Sequence, residues 1–204
     1  MSINIILLAS IGIVSYLCFN NRNLFNQLLF SPYATIREKQ WYRFLSSAWV
    51  HSDFTHLFVN LFVLYFFGSA MESFFKVSFG NLGIAYYLIL FIGSVIIAHI
   101  PTYLKEKDNY AYASVGASGG VSGVLFAFIL LQPLEPLYLY GIIKIPGIIF
   151  GVLYLFYSNY MSKRGGDNVN HDAHMFGALG GMLILVLFKP QVIPNFINQI
   201  TSLF

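Results

Sequence analysis

Apolar residues along this chain come in long unbroken blocks, and the polar and charged positions collect between them. Blocks of about 17 to 25 residues are long enough to cross hydrocarbon, and such blocks fall near 3–19, 54–74, 81–100, 116–133, 146–161 and 172–188. Each predicts a helix, because a backbone surrounded by lipid must satisfy its polar groups within the segment. The first block follows Met1-Ser2-Ile3-Asn4, which has no basic stretch, and no clear small-residue cleavage site comes after it. It therefore reads as a retained helix and not a signal peptide. Between the first and second blocks lies a connection far longer than ordinary loops, a length that points to structure or function. Within it Leu24, Phe25, Leu28 and Leu29 share one face, with Asn23, Asn26 and Gln27 opposite. That pattern predicts a short helix lying in the membrane interface. No internal repeat or low-complexity segment is visible.

Composition agrees with the pattern: 57% of residues are hydrophobic, 18% aromatic and 9% charged, with a mean hydropathy of +0.70. Such a chain cannot cover a soluble globule with polar surface. The expected class is an all-α, multi-pass membrane protein whose 204 residues form a single domain, 1–204, with the lipid bilayer as its standing partner. The blocks leave no room for an appended soluble module. Net charge is +3 and the eleven Lys and Arg residues are scattered singly, so no nucleic-acid partner is expected. Cys18 is the one cysteine and reads as a small core residue, which leaves no disulfide or zinc framework. No metal or organic cofactor is expected. The oligomeric state is left open.

Two polar features break the apolar blocks in a way that points to chemistry. Gly116-Ala117-Ser118-Gly119-Gly120 opens the fourth block, and His174 stands near the start of the sixth. Gly-x-Ser-x-Gly in a soluble enzyme suggests a nucleophile elbow between a strand and a helix, but no strand–helix alternation surrounds it here. The serine instead opens a membrane helix, whose first amides lack helical partners and can hold an oxyanion. The alternative is that Gly116, Ser118, Gly119, Ser122 and Gly123 simply permit close helix packing. His174 is followed by Gly177 and Gly181 on the same helix face. Packing of that face on Gly119 and Gly123 would bring the imidazole within reach of the Ser118 hydroxyl, as a general base requires. Asp172 points elsewhere on its helix and Asp167 precedes it, so a Ser–His dyad is expected and no triad. His99 and His171 lie at block ends and read as interfacial.

The second block opens at His51-Ser52-Asp53-Phe54-Thr55-His56, where Ser52 or Asp53 can cap the helix. His56 and Asn60 lie one turn apart and can both donate hydrogen bonds to a developing oxyanion; the plainer alternative is bonding between helices. Glu72 near the end of the same helix needs a partner, and Arg43 in the long loop is the candidate.

These residues resemble the rhomboid family of intramembrane serine proteases. The likeness runs from Trp41-Tyr42-Arg43 through His51 to Asn60, Glu72 and Gly116-Ala117-Ser118-Gly119 to Ala173-His174-Met175-Phe176-Gly177, in the family's order and spacing. The resemblance implies a bundle of six transmembrane helices with a long, partly helical, membrane-embedded first loop. It implies Ser118 as nucleophile, His174 as base, and an oxyanion hole from His56, Asn60 and the Ser118 amide. Arg43, His51, Glu72, Gly116, Gly119, Gly177 and Gly181 are then structural supports, and the loop around 162–171 gates substrate entry. Transmembrane proteins become the substrates and a prokaryotic plasma membrane the location. The chain departs from the family at Ser122, where an aromatic residue that stacks near the catalytic histidine is usual, so support of the histidine is expected to differ here. Orientation is also at odds. Eight Lys and Arg residues follow the first, third and fifth blocks, against Lys76, Lys144 and Lys189 elsewhere, which by charge puts the amino terminus outside. The resemblance puts it in the cytoplasm, and that orientation is preferred because four of the eight charges, Arg43 among them, lie in the long loop.

The function expected is hydrolysis of peptide bonds in or near transmembrane helices through an acyl-enzyme. The alternative is a catalytically silent relative that binds membrane proteins. A transporter is disfavoured, since no repeat of broken helices is seen.

Overall fold

Ser2 starts the first helix: its hydroxyl accepts the Ile5 amide at 3.4 Å, and α1 runs over Ile3–Asn20. The computed structural model describes residues 2–139, 142–167 and 169–203. The long first loop folds into three short helices, α2 (Arg22–Leu28), α3 (Pro32–Arg37) and α4 (Arg43–Ser46), followed by a 3₁₀ turn at Ser47–Trp49. Asn21 and Ser31 cap α2 and α3, and Pro32 sits at the first position of α3, where its missing amide costs nothing. The short helix expected from Leu24 to Leu29 is α2.

Asp53 caps α5 (Phe54–Val63) by accepting the His56 amide at 2.8 Å. A π turn at Leu64–Gly68 carries α5 straight into α6 (Ser69–Phe79). A π turn leaves carbonyls out of the regular ladder, and here the fully buried Asn4 amide donates to Leu64 O and Tyr65 O at 3.0 and 3.5 Å. The Tyr87 hydroxyl donates in turn to Asn4 Oδ1 at 2.6 Å. One buried amide thus ties α1 to the π turn and to α7 (Gly83–Glu106).

The serine motif leads into α8 (Ser118–Leu131), and two antiparallel strands follow, β1 (Pro136–Leu139) and β2 (Ile143–Pro146), with Pro136 opposite Pro146. This small hairpin is the departure from an all-α chain. Then come α9 (Gly147–Arg164), α10 (His171–Phe188) and the short α11 (Val192–Thr201). Several helices overrun the predicted blocks, α6 to Phe79 and α7 to Glu106, because helix-favouring polar residues such as Lys76, Lys105 and Glu106 continue the turn beyond the apolar part.

Among the described residues three stretches are long and apolar enough to cross a membrane, Ile3–Asn20, Phe54–Glu106 and His171–Phe188. The middle one turns back at Gly80, whose φ of +56° suits glycine. α8 has 14 residues, ~21 Å against a ~30 Å hydrocarbon core, and nearly all of it is buried between α7 and α10. Phe58, Phe62 and Phe66 form an exposed aromatic row on α5 and its π turn, and α9 exposes Leu153, Phe156 and Tyr160. Apolar outward faces over a buried α8 make this a helical bundle in which lipid replaces water as the outer solvent.

Candidate active site

The strand of chain entering α8 is positioned by the first loop. Phe30 and Ser114 exchange both backbone bonds, at 2.9 and 3.0 Å, and the Gly116 amide donates to Ser47 O at 3.0 Å. The Ala117 amide donates to His51 Nε2 at 3.3 Å. The Ser15 hydroxyl gives its proton to Trp49 O at 2.8 Å, so at 2.8 Å from His51 Nδ1 it must accept. His51 therefore carries its proton on Nδ1 and has a lone pair on Nε2 for Ala117. One imidazole links α1, the first loop and the serine motif.

Gly116 has φ +121°, and a methyl carbon there would lie 2.6 Å from His56 Cε1, 2.7 Å from His56 Nε2 and 3.7 Å from Ser118 Oγ. The side-chain space that glycine leaves empty is bordered by the His56 ring edge and the serine hydroxyl. Ala117 stands at the cap position of α8 without a side-chain bond, and the first helical bond there runs from Val121 to Ala117 O. The amides of Ser118, Gly119 and Gly120 make no hydrogen bond among the described residues, which leaves an uncapped helix start beside the hydroxyl.

α8 and α10 meet at glycines. A Cβ on Gly177 would overlap the Gly119 carbonyl, and one on Gly181 would overlap the Gly123 carbonyl. Gly119 itself faces Ala98 of α7 and the Ala173 carbonyl. This is the helix contact expected from the spacing of Gly177 and Gly181, and it puts the starts of α8 and α10 side by side. Asn170 caps α10, accepting the Ala173 amide at 3.0 Å, while its side-chain amide donates to Thr102 at 2.9 Å and to Tyr112 at 3.1 Å. No hydrogen bond among the described residues joins Ser118 to His174, and the His174 ring has none to any carboxylate. Asp172 bonds Ser162, and Asp167 pairs with His171 Nε2 at 3.0 Å, which holds the Asp167 carboxyl below the usual carboxylate range. Ser118 and His174 are both half-buried. A cavity of about 20 Å³, room for one water, adjoins Ser118 and is lined also by His99, Ser114 and Asn170.

His56 contacts Ser52 Oγ through Nδ1 at 3.1 Å, and Ser52 also donates to Asp53 at 2.8 Å. Asn60, a turn further on, gives one amide proton to His56 O at 2.9 Å and keeps the other.

Three expectations need correction. Arg43 and Glu72 do not pair. The buried Arg43 guanidinium donates to Asn26 O at 2.9 Å, Leu29 O at 2.6 Å and Gln40 Oε1 at 2.5 Å, stitching the first loop to itself. Glu72 instead accepts the Ile3 and Asn4 amides at 3.0 Å each, the Ser2 hydroxyl and the Lys76 ammonium, and so caps the start of α1. The reason is helix length: Gly83 of α7 packs on Phe75 and Lys76 near Glu72, whereas Phe44 beside Arg43 packs on His99 and Tyr103 at the far end of α7. From Gly83 to His99 the α7 axis covers ~24 Å. His99 and His171, expected at the surface of the block ends, are buried in the protein. Each is 6% exposed; His99 stacks on Phe30 at 4.1 Å and contacts Ser47 Oγ through Nε2 at 3.0 Å. Of the loop around 162–171, Asn168 lies outside the described residues.

Sequence reasoning missed Ser15, Ser47, Asn170 and Tyr154. Ser15 and Ser47 act through bonds between distant segments, for which single-residue patterns carry no signal, whereas Asn170 also caps α10, and an Asn just ahead of the sixth block is a signal that could have found it. Tyr154 lies on α9 with its ring stacked on His174.

A Rhomboid domain family model matches residues 38–191, which include every residue of the site just described except those on α1 and the start of the first loop. The protein named "Putative rhomboid protease YdcA" of Bacillus subtilis (strain 168) is 32% identical over 148 residues, covering 72% of this chain and 67% of the relative. Two Arabidopsis thaliana proteins are also similar. RHOMBOID-like protein 12, mitochondrial, is 26% identical over 85% of this chain and 54% of its own length. Rhomboid-like protein 11, chloroplastic, is 31% identical over 73% of this chain and 53% of its own. The chain thus spans about half the length of both plant proteins. With an apolar helical bundle, a matched domain over most of its length and a relative of this similarity, the chain belongs to the rhomboid family.

Proposed function

We propose that this chain, as one domain over residues 1–204, is an intramembrane serine protease that hydrolyses peptide bonds in or near transmembrane helices. The observation that carries the reading is the glycine contact between α8 and α10, which sets Ser118, at an uncapped helix start, beside the first turn of α10 where His174 stands. Ser118 Oγ attacks the substrate carbonyl carbon while its proton passes to His174. The oxyanion meets the Ser118 amide, His56 Nε2 and the free Asn60 amide proton. When Ser52 turns its proton from Asp53 to His56 Nδ1, Nε2 carries the ring proton and is a donor. Collapse expels the amine with the proton from His174 and leaves an ester on Ser118. Water, deprotonated by His174, hydrolyses the ester and returns the enzyme.

A nucleophile at a helix start reaches a carbonyl only in a locally unwound substrate, so transmembrane segments with Gly, Pro or small residues near the cut are favoured. The proposed setting is a prokaryotic plasma membrane with the amino terminus in the cytoplasm, the site residues lying at the bundle end opposite the start of α1. The open Ser118–His174 geometry keeps a second reading in view, a silent membrane-protein binder, although hydrogen bonds of the chemical step are often long before substrate binds. The two readings part on one experiment, cleavage of a model transmembrane substrate by purified protein in liposomes. The native chain is expected to cut, and Ser118→Ala and His174→Ala to lose ~10³-fold or more. Equal behaviour of all three proteins would leave the binding reading.

A further inference from the structure

We propose that Tyr154 is a positioning residue for His174, holding the imidazole plane from α9 by a ring stack that Ser122 of α8 tethers. This rests on the protease reading of Ser118 and His174.

The imidazole has no hydrogen-bonding partner among the described residues, so packing must set its plane. On one side the Tyr154 ring lies nearly parallel, with centroids 6.4 Å apart and an 18° interplanar angle. On another the His171 ring meets it edge-on at 6.0 Å and 71°. Offset stacks at such separations are favourable and orient the rings. The Tyr154 ring is itself fixed at three points. Phe126 and Phe150 pack on it at 5.3 and 5.8 Å, and its hydroxyl lies 2.7 Å from Ser122 Oγ. Ser122 is buried and lies four residues after Ser118, on the same face of α8. The helix that carries the nucleophile therefore also holds the ring that orients the base. A bulky aromatic at position 122 would occupy the place of the Tyr154 hydroxyl, which is why a serine suits this position when the ring comes from α9.

The test is steady-state cleavage of a model transmembrane substrate, together with NMR of histidine-labelled protein in detergent micelles. Tyr154→Leu removes the ring and is expected to lower kcat ~100-fold with KM within about twofold, the cost of a misaligned base. Tyr154→Phe and Ser122→Ala keep the ring and lose one hydrogen bond, and are expected to fall no more than ~10-fold. In the spectra the His174 Cε1 proton, shifted by the tyrosine ring current, should move towards the position of a free histidine in Tyr154→Leu and stay in Tyr154→Phe. A kcat near the native value in Tyr154→Leu, a rise in KM alone, or an unmoved His174 resonance overturns the proposal. Native protein that cleaves nothing while the resonance moves as expected overturns the protease reading and leaves the positioning role standing. Tyr154→Met replaces Tyr154→Leu where the latter does not yield helical, folded protein.

Discussion

At the scale of single residues, Gly116 and His51 decide how the serine is presented. The backbone at Gly116 adopts a φ that a side chain tolerates poorly, and the space beside it belongs to the His56 ring. Gly116→Ala is expected to cost ~1–3 kcal/mol in strain and, by displacing His56 or Ser118, ~100-fold in cleavage. Thermal melting in detergent beside a cleavage assay reads both: a melting temperature lowered by several degrees, with cleavage down ~100-fold in protein that is still folded, fits the geometry, and unchanged activity contradicts it. His51 illustrates how one ring nitrogen is assigned by its partners. The Ser15 hydroxyl has a single proton, and its bond to Trp49 O settles which His51 nitrogen carries hydrogen.

At the scale of elements, the contact between α8 and α10 is the joint on which the site depends. In lipid, helices associate through close backbone approach more than through the hydrophobic effect, so the glycines at 119, 123, 177 and 181 matter for what they lack. Gly181→Ala drives a methyl into the Gly123 carbonyl and is expected to destabilise by ~1–3 kcal/mol, read by unfolding in mixed micelles. Gly151 of α9 is the control, since a methyl there finds Phe126 at 3.5 Å in ordinary contact. Gly151→Ala should be neutral or stabilising by up to ~1 kcal/mol. If Gly151→Ala is the more damaging of the two, the assignment of the tight joint to α8 and α10 is wrong.

At the scale of the whole molecule, two buried charges fasten opposite ends of the bundle. Glu72 gathers the start of α1, and Arg43 gathers the carbonyls of the first loop beside the serine motif. Removing either leaves unsatisfied backbone groups, and each alanine variant is expected to cost ~1–3 kcal/mol. Because the charges share no partner, their effects should add within ~0.5 kcal/mol in a double-mutant cycle of unfolding free energies. A coupling of 1 kcal/mol or more would mean that they interact after all. The burial of Arg43 also bears on orientation, since a guanidinium spent on loop carbonyls weighs less in the charge asymmetry that sets topology.

The sequence by itself determined the membrane setting, the helical class and the start of α5. These follow from local physics: the length of apolar runs, the cap at Asp53, and the intolerance of lipid for open backbone, while the caps at Ser2, Asn21 and Ser31 came from the structure. It also put His174, Gly177 and Gly181 on one face, since helical periodicity is a property of neighbours in the chain. Tertiary structure alone decided the partners of Glu72 and Arg43, the burial of His99 and His171, the His51 bridge to the serine motif and the stacking of Tyr154 on His174. Each of these depends on which helix ends share a level in the bundle. That level is set by helix lengths, by a π turn and by glycine contacts between segments far apart in the chain, and no local pattern encodes it.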